Sequence, residues 1–252
     1  SIVKFIGYSP VDFKDKSRMT LVMELGNGSL EDLHQLEIAA RAPYEWNSTL
    51  KLINLYGIAS GMLYLHSNNI VHRDLKPHNV LIDEYFFPKI TDFDISRYFQ
   101  LDSHGNIFNP TYEEGTPLIM APETFLDDGI YSELIDVYSF GITMFLIMTA
   151  QENMFFPKNI RSSRQYKMKI SRGKRPEYER EIPQCYKKLI EECWDKNPKK
   201  RPSFKQICER LKNDKSFHEN IDLNYFFNYV NYVDNNLPNE NFKHIFKKVN
   251  FA

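Results

Sequence analysis

Residues 72–79 read His-Arg-Asp-Leu-Lys-Pro-His-Asn, and thirteen residues after Asn79 comes Asp92-Phe93-Asp94. Further along stand Ala121-Pro122-Glu123, then Asp136-Val137-Tyr138-Ser139-Phe140-Gly141, and then Arg201. These segments carry charges and amides that are costly to bury one at a time. Either they are surface loops with ordinary salt bridges, or folding gathers them into one cleft where they satisfy each other and act together.

In this order the segments resemble the catalytic loop, the metal-binding motif and the end of the activation segment of eukaryotic protein kinases. The resemblance implies ATP and Mg2+ as cofactors and a protein as substrate. A phosphoryl group in transfer carries diffuse negative charge, so catalysis is mostly positioning and charge neutralisation. Magnesium needs hard oxygen ligands, and Asn79 and Asp92 supply an amide carbonyl and a carboxylate. Asp74 offers a carboxylate to accept or orient a substrate hydroxyl. Lys76, two residues on, points to the same side of an extended loop and neutralises charge on the transferring phosphate.

The same resemblance assigns supporting roles. His72 and Phe93 belong to a hydrophobic spine with Phe5 as a third member. Leu81 forms the floor under adenine, Met23 is the gatekeeper, and Glu24-Leu25 is the hinge whose backbone meets adenine. Asp136 braces the catalytic loop through backbone N–H groups, and Glu123 and Arg201 form a buried ion pair. Met23 and Phe5 also read as plain core packing. Lys76 and Gly115-Thr116-Pro117 resemble the Ser/Thr-specific form, in which Thr116 hydrogen-bonds to Asp74 and Lys76. Cys193-Trp194, Lys199-Lys200-Arg201-Pro202-Ser203-Phe204 and Gly28-Ser29-Leu30 resemble the tyrosine-kinase-like (TKL) group. Arg73 suits pairing with a phosphate in the activation segment, for which Ser103, Thr111 and Tyr112 are candidate acceptors, or with a carboxylate such as Glu113 or Glu114.

The match departs from the family in three places. It runs from about Ile2 to about Leu211, with no Gly-rich loop and no Val-Ala-Ile-Lys-type strand before Ile2. The expectation is a fragment of a longer polypeptide, weak in ATP binding and poor in turnover. Asp94 stands where the family has Gly, and Ile119 where an aromatic is common. Asp94 keeps a second reading open, a pseudokinase or interaction scaffold that retains the fold.

Composition agrees with one large domain or two small ones in 252 residues, 42% hydrophobic and with a net charge of -1, which argues against a bulk nucleic-acid or membrane binder. Three cysteines without metal or disulfide spacing fit a reducing, cytoplasmic setting. The most apolar run, 141–150, is far short of a bilayer span. Two strands, at 2–8 and 19–24, precede helices at 47–67, 135–149, 184–194 and 203–212, with a short amphipathic helix after the N-cap Ser29. That order predicts an α+β protein-kinase-like fold with a partial smaller lobe. Residues 1–28 are read as a remnant of that lobe, 29–212 as the larger lobe, and 213–252 as an Asn- and aromatic-rich extension. Gly57 and Gly61 inside the long helix point to close packing against a neighbour. In the extension, Tyr225, Tyr229 and Tyr232 recur at helical spacing beside Phe226, Val230 and Val233. They favour a docked amphipathic helix over a poorly ordered tail.

Overall fold

A computed structural model describes residues 1–98, 107–108, 119–125, 130–151 and 163–235. Its first elements, β1 (Phe5–Ser9) and β2 (Thr20–Met23), pair antiparallel as a two-stranded ribbon. The core packing expected of Phe5 and Met23 is not found, since they are 57% and 42% exposed. An isolated ribbon buries side chains only where a second layer covers it. Here Ile6, Tyr8 and Leu21 are exposed as well. Phe5 therefore does not join His72 and Phe93 in a buried spine.

β3 (Gly28–Ser29) runs straight into α1 (Leu30–Ile38). The start of α1 is fixed by a reciprocal cap: Ser29 Oγ accepts from Asp32 N–H at 3.2 Å, and the Asp32 carboxylate accepts from Ser29 N–H at 2.7 Å. α2 (Ser48–Ser67) begins where Asn47 Oδ1 accepts the N–H groups of Thr49 and Leu50. It is buried on nearly every side and forms the axis of the molecule. Its two glycines are explained by contact. A Cβ at Gly57 would lie 2.2 Å from Tyr229 Oη, and one at Gly61 would lie 2.7 Å from Ile90 Cδ1.

β4 (Ile70–Val71) leads through a loop and a 3-10 turn, Pro77–Asn79, into β5 (Val80–Ile82) and β6 (Pro88–Ile90). The sheet order is β3-β5-β6, all antiparallel neighbours. β7 (Arg97–Tyr98) pairs with β4, and the short strands β8 (Ile107–Phe108) and β9 (Ile130–Tyr131) pair with each other. Helices α3 (Leu134–Thr149), α4 (Ser163–Ser171), α5 (Gln184–Cys193), α6 (Phe204–Asn213) and α7 (Leu223–Asn235) complete an α+β architecture. α3 packs on α5, while α6 and α7 pack on α2. No helix among the described residues is long and apolar enough to cross a membrane. The three cysteines are unpaired, and burial raises the thiols of Cys193 and Cys208, the latter to about 12.

The 223–235 part of the extension is helical and docked on the rest of the chain. Phe226, Tyr229 and Val230 face inward, while Asn224, Asn231 and Asn235 are exposed. Tyr56 Oη donates to Asp234 Oδ1 at 2.7 Å, Lys212 Nζ reaches Asp234 Oδ2 at 2.7 Å, and Asp222 N–H donates to Thr49 Oγ1 at 2.9 Å.

Candidate active site

The loop between β4 and β5 is held from below by Asp136 in the first turn of α3, a residue with no exposed surface. Its Oδ2 accepts His72 N–H at 2.9 Å and His66 Nε2–H at 2.9 Å, and its Oδ1 accepts Arg73 N–H at 2.8 Å. Charge-assisted bonds to two successive backbone groups fix the path of the loop. Arg73 adopts φ 72, a left-handed conformation that such bracing stabilises. Its guanidinium donates to Ile95 O at 3.3 Å.

His72 closes the loop onto the next segment. A carbonyl only accepts, so its Nε2 carries the proton given to Thr91 O at 3.0 Å, and its Nδ1 accepts Asp74 N–H at 3.3 Å. Its ring lies 5.2 Å from that of Phe93. Three predicted residues meet at one carboxylate. Lys76 Nζ is 2.6 Å from Asp74 Oδ2, and Asn79 Nδ2 donates to that oxygen and to Asp74 O, both at 2.9 Å.

Asp92 reaches the site through its backbone. Thr91 N–H donates to Asn79 O at 3.0 Å, so the residue after Thr91 leaves β6 beside Asn79. Asp92 is exposed, has φ 64, and has no hydrogen-bond or ion-pair partner among the described residues. Asp94 is not among the residues with positive φ. The left-handed residue of Asp92-Phe93-Asp94 is thus the first, and the Asp that replaces Gly bears no left-handed strain.

The donor set fits magnesium. Both protons of the Asn79 amide go to Asp74, which leaves its oxygen as the atom for a cation, and Asp92 adds one carboxylate. Magnesium is ordinarily held by one or two carboxylates, waters and substrate phosphates, without a dedicated cage. No cluster of three or more His, Cys, Asp or Glu able to hold a metal occurs among the described residues.

The other predicted residues are spread over several elements. Leu81 is in β5, and a Cβ at Gly26 would lie 3.0 Å from Leu81 Cβ, so the segment after Glu24-Leu25 passes close over it. Met23 ends β2, Leu25 is 93% exposed, and Glu24 N–H is already given to Lys4 O at 3.0 Å. The Glu24 side chain pairs with Lys89 at 3.4 Å. Away from the loop, Arg201 takes Glu123 in a bidentate pair of 2.5 and 2.8 Å. Thr116, Ser103, Thr111, Tyr112, Glu113 and Glu114 lie outside the described residues. Sequence reasoning missed His66, the third donor to Asp136, and Ser139, whose Oγ donates to Ile119 O at 2.9 Å. A polar residue at a core-facing helical position was the available signal for both.

Comparison with known proteins gives a family model described as protein kinase domain, which matches residues 1–211. Among curated relatives, two probable LIM domain-containing serine/threonine-protein kinases of Dictyostelium discoideum are similar to the chain. One is 43% identical over 155 residues, 62% of this chain and 15% of the relative. The other is 39% identical over 186 residues, 74% of this chain and 26% of the relative. The dual specificity protein kinase shkA of the same organism is 34% identical over 215 residues, 84% of this chain and 38% of that protein. The chain therefore spans well under half the length of these relatives.

Proposed function

The chain belongs to the protein kinase domain family, and we propose that it is a serine/threonine kinase of the TKL group that transfers the ATP γ-phosphate to a protein hydroxyl. The observation that carries this reading is the convergence of Lys76 and Asn79 on Asp74 Oδ2. On this reading Asp74 orients the acceptor hydroxyl and receives its proton. The hydroxyl oxygen bonds to the γ-phosphorus as the bond to the β–γ bridging oxygen breaks. Lys76, whose Nζ lies 2.6 Å from Asp74 Oδ2, keeps a positive charge beside the transferring group. Asn79 and Asp92 would hold Mg2+, which neutralises charge on the phosphate oxygens when bound. Leu81, Met23, Glu24 and Leu25 border the space assigned to adenine. Lys76 and the serine/threonine names of the relatives support the acceptor type, and the dual-specificity relative makes tyrosine the alternative acceptor.

The experiment is phosphate transfer from MgATP to a generic protein acceptor by the chain completed with a Gly-rich loop and a Val-Ala-Ile-Lys-type strand, with phosphoamino-acid analysis and Asp74→Asn as control. Transfer to Ser or Thr should fall by about 10^2–10^4 in the variant. Equal transfer by both chains would refute the assignment of Asp74. The second reading, a pseudokinase or interaction scaffold that retains the kinase fold, draws on Asp94 and on the partial smaller lobe. MgATP binding without transfer by the wild type would select it.

A further inference from the structure

We propose that α7, which lies beyond the residues matched by the family model, braces the β5–β6 hairpin and so positions Asn79 and Asp92, with Tyr229 as the positioning residue. Asn79 immediately precedes β5 and Asp92 follows β6 by two residues, so both proposed metal ligands hang from one hairpin. Strands this short do not hold a geometry alone. What packs on the turn end therefore adds to what the Asn79–Asp74 and Thr91–Asn79 hydrogen bonds fix at the ligand end.

That turn end is gripped from two sides. Internally, Asp83 Oδ1 accepts Tyr85 N–H at 2.9 Å and Phe87 N–H at 3.0 Å, with Phe86 at φ 60. From α2, Asn54 Nδ2 donates to Phe86 O at 2.8 Å. From α7, the Tyr229 ring lies 4.5 Å from the Phe87 ring and the Tyr225 ring 6.4 Å from it. Pro88, the first residue of β6, shares the hollow over Gly57 with Tyr229: a Cβ there would lie 2.2 Å from Tyr229 Oη and 2.6 Å from Pro88 Cγ. Tyr229 and Phe87 are 1% and 3% exposed, so this contact is dry and close-packed. α7 is itself anchored to α2 and α6 through Thr49–Asp222, Tyr56–Asp234 and Lys212–Asp234. A rigid wall thus stands behind the hairpin, and ligand placement errors of about 1 Å are costly in catalysis.

The catalytic half of this proposal rests on the kinase reading; the brace itself does not. The test uses the whole chain with Tyr229→Ala, Tyr229→Phe and Asp234→Ala. Amide hydrogen exchange is read at Asp83, Phe87 and Thr91, and KM for MgATP is read apart from kcat. In Tyr229→Ala, exchange at those amides should quicken about tenfold while α3 and α5 stay within about twofold. KM should rise about tenfold with a smaller fall in kcat. Tyr229→Phe, which keeps the ring, should restore both. Asp234→Ala changes a surface anchor and should act in the same direction more weakly, and it serves if Tyr229→Ala does not fold. Unchanged hairpin exchange while α7 amides are released overturns the proposal. So does acceleration spread evenly over α3 and α5. A hairpin-specific response in Tyr229→Ala, together with no Asp74-dependent phosphate transfer by the completed chain, supports the brace and sinks the kinase reading instead.

Discussion

Arg201 has no exposed side-chain surface, yet it remains charged, so its partners decide its cost. Beyond Glu123, its Nη1 donates to Leu134 O at 3.0 Å and its Nε to Asp195 O at 2.9 Å, and its guanidinium lies 5.2 Å from the Tyr138 ring centroid. Glu123→Ala leaves that cation without its carboxylate and should cost about 3–5 kcal/mol, read as a shift in the urea midpoint. A loss under about 1 kcal/mol would mean solvent reaches the guanidinium. His34 on α1 is the opposite case: a buried imidazole whose nitrogens make no well-formed hydrogen bond among the described residues and have only a weak contact with the Gln151 backbone. Burial holds its pKa below the ordinary value, together with Lys51 and against the pull of Glu31, Glu37 and the Gln151 backbone. The unfolded chain then binds the proton more readily, so the stability this group contributes is complete above about pH 6.5 and is lost as pH falls through the lower folded value. Thermal midpoints should drop between about pH 7.5 and about pH 5.5, and His34→Leu should flatten that drop. An identical slope in the variant would remove His34 as the cause. These two residues differ in how far sequence exposes them. Glu123 and Arg201 sit in motifs whose order identifies them, whereas the burial of His34 depends on which side chains happen to surround α1.

Helix starts are local chemistry: Ser29 caps α1 as its sequence position suggests, and Asn47 and Ser203 cap α2 and α6. The contacts of these helices with other elements are not local. The glycines of α2 announced close packing, but the stripe of tyrosines that fills the hollow lies far away in α7, and no local pattern pairs the two. Gly57→Ala sets these levels against each other. In an isolated helix the change gains about 1 kcal/mol from propensity. In this fold the new Cβ collides with the phenol oxygen of Tyr229 and with Pro88. Collision should win, because the tyrosine is close-packed against Phe87 and α2, and overpacking a core costs about 1–3 kcal/mol. The thermal midpoint of Gly57→Ala should therefore fall. Tyr229→Phe in the same chain should recover part of the loss, since it removes the nearest atom and leaves Pro88 in place. A Gly57→Ala chain as stable as wild type would show that α7 yields at little cost.

At the scale of the whole molecule, the charged and polar groups of the site are gathered at the ends of short strands and on one loop, while a broad apolar surface stays open at β1–β2. Alternating apolar residues there read as half-buried strands, and the sequence around them does not reveal whether a second layer lies on top. Phe5, Ile6, Tyr8, Met19, Leu21 and Leu25 are each more than half exposed, and Phe13 is 96% exposed. An apolar patch beyond a few hundred Å2 is unusual on a monomeric protein and drives association. A net charge of -1 offers almost no long-range repulsion to oppose it. The chain should therefore self-associate with rising concentration, as sedimentation velocity between about 1 and about 100 µM would record. Because the driving force is apolar burial, sulfate should strengthen the association, whereas a contact made by exposed charges would weaken with salt. Replacing Phe5 and Leu21 together with Thr keeps β propensity while removing two of the largest exposed side chains, and should shift association to higher concentration. A chain that stays monomeric throughout that range, or whose complexes dissolve in salt, would show that this ribbon does not govern how the molecule meets its neighbours.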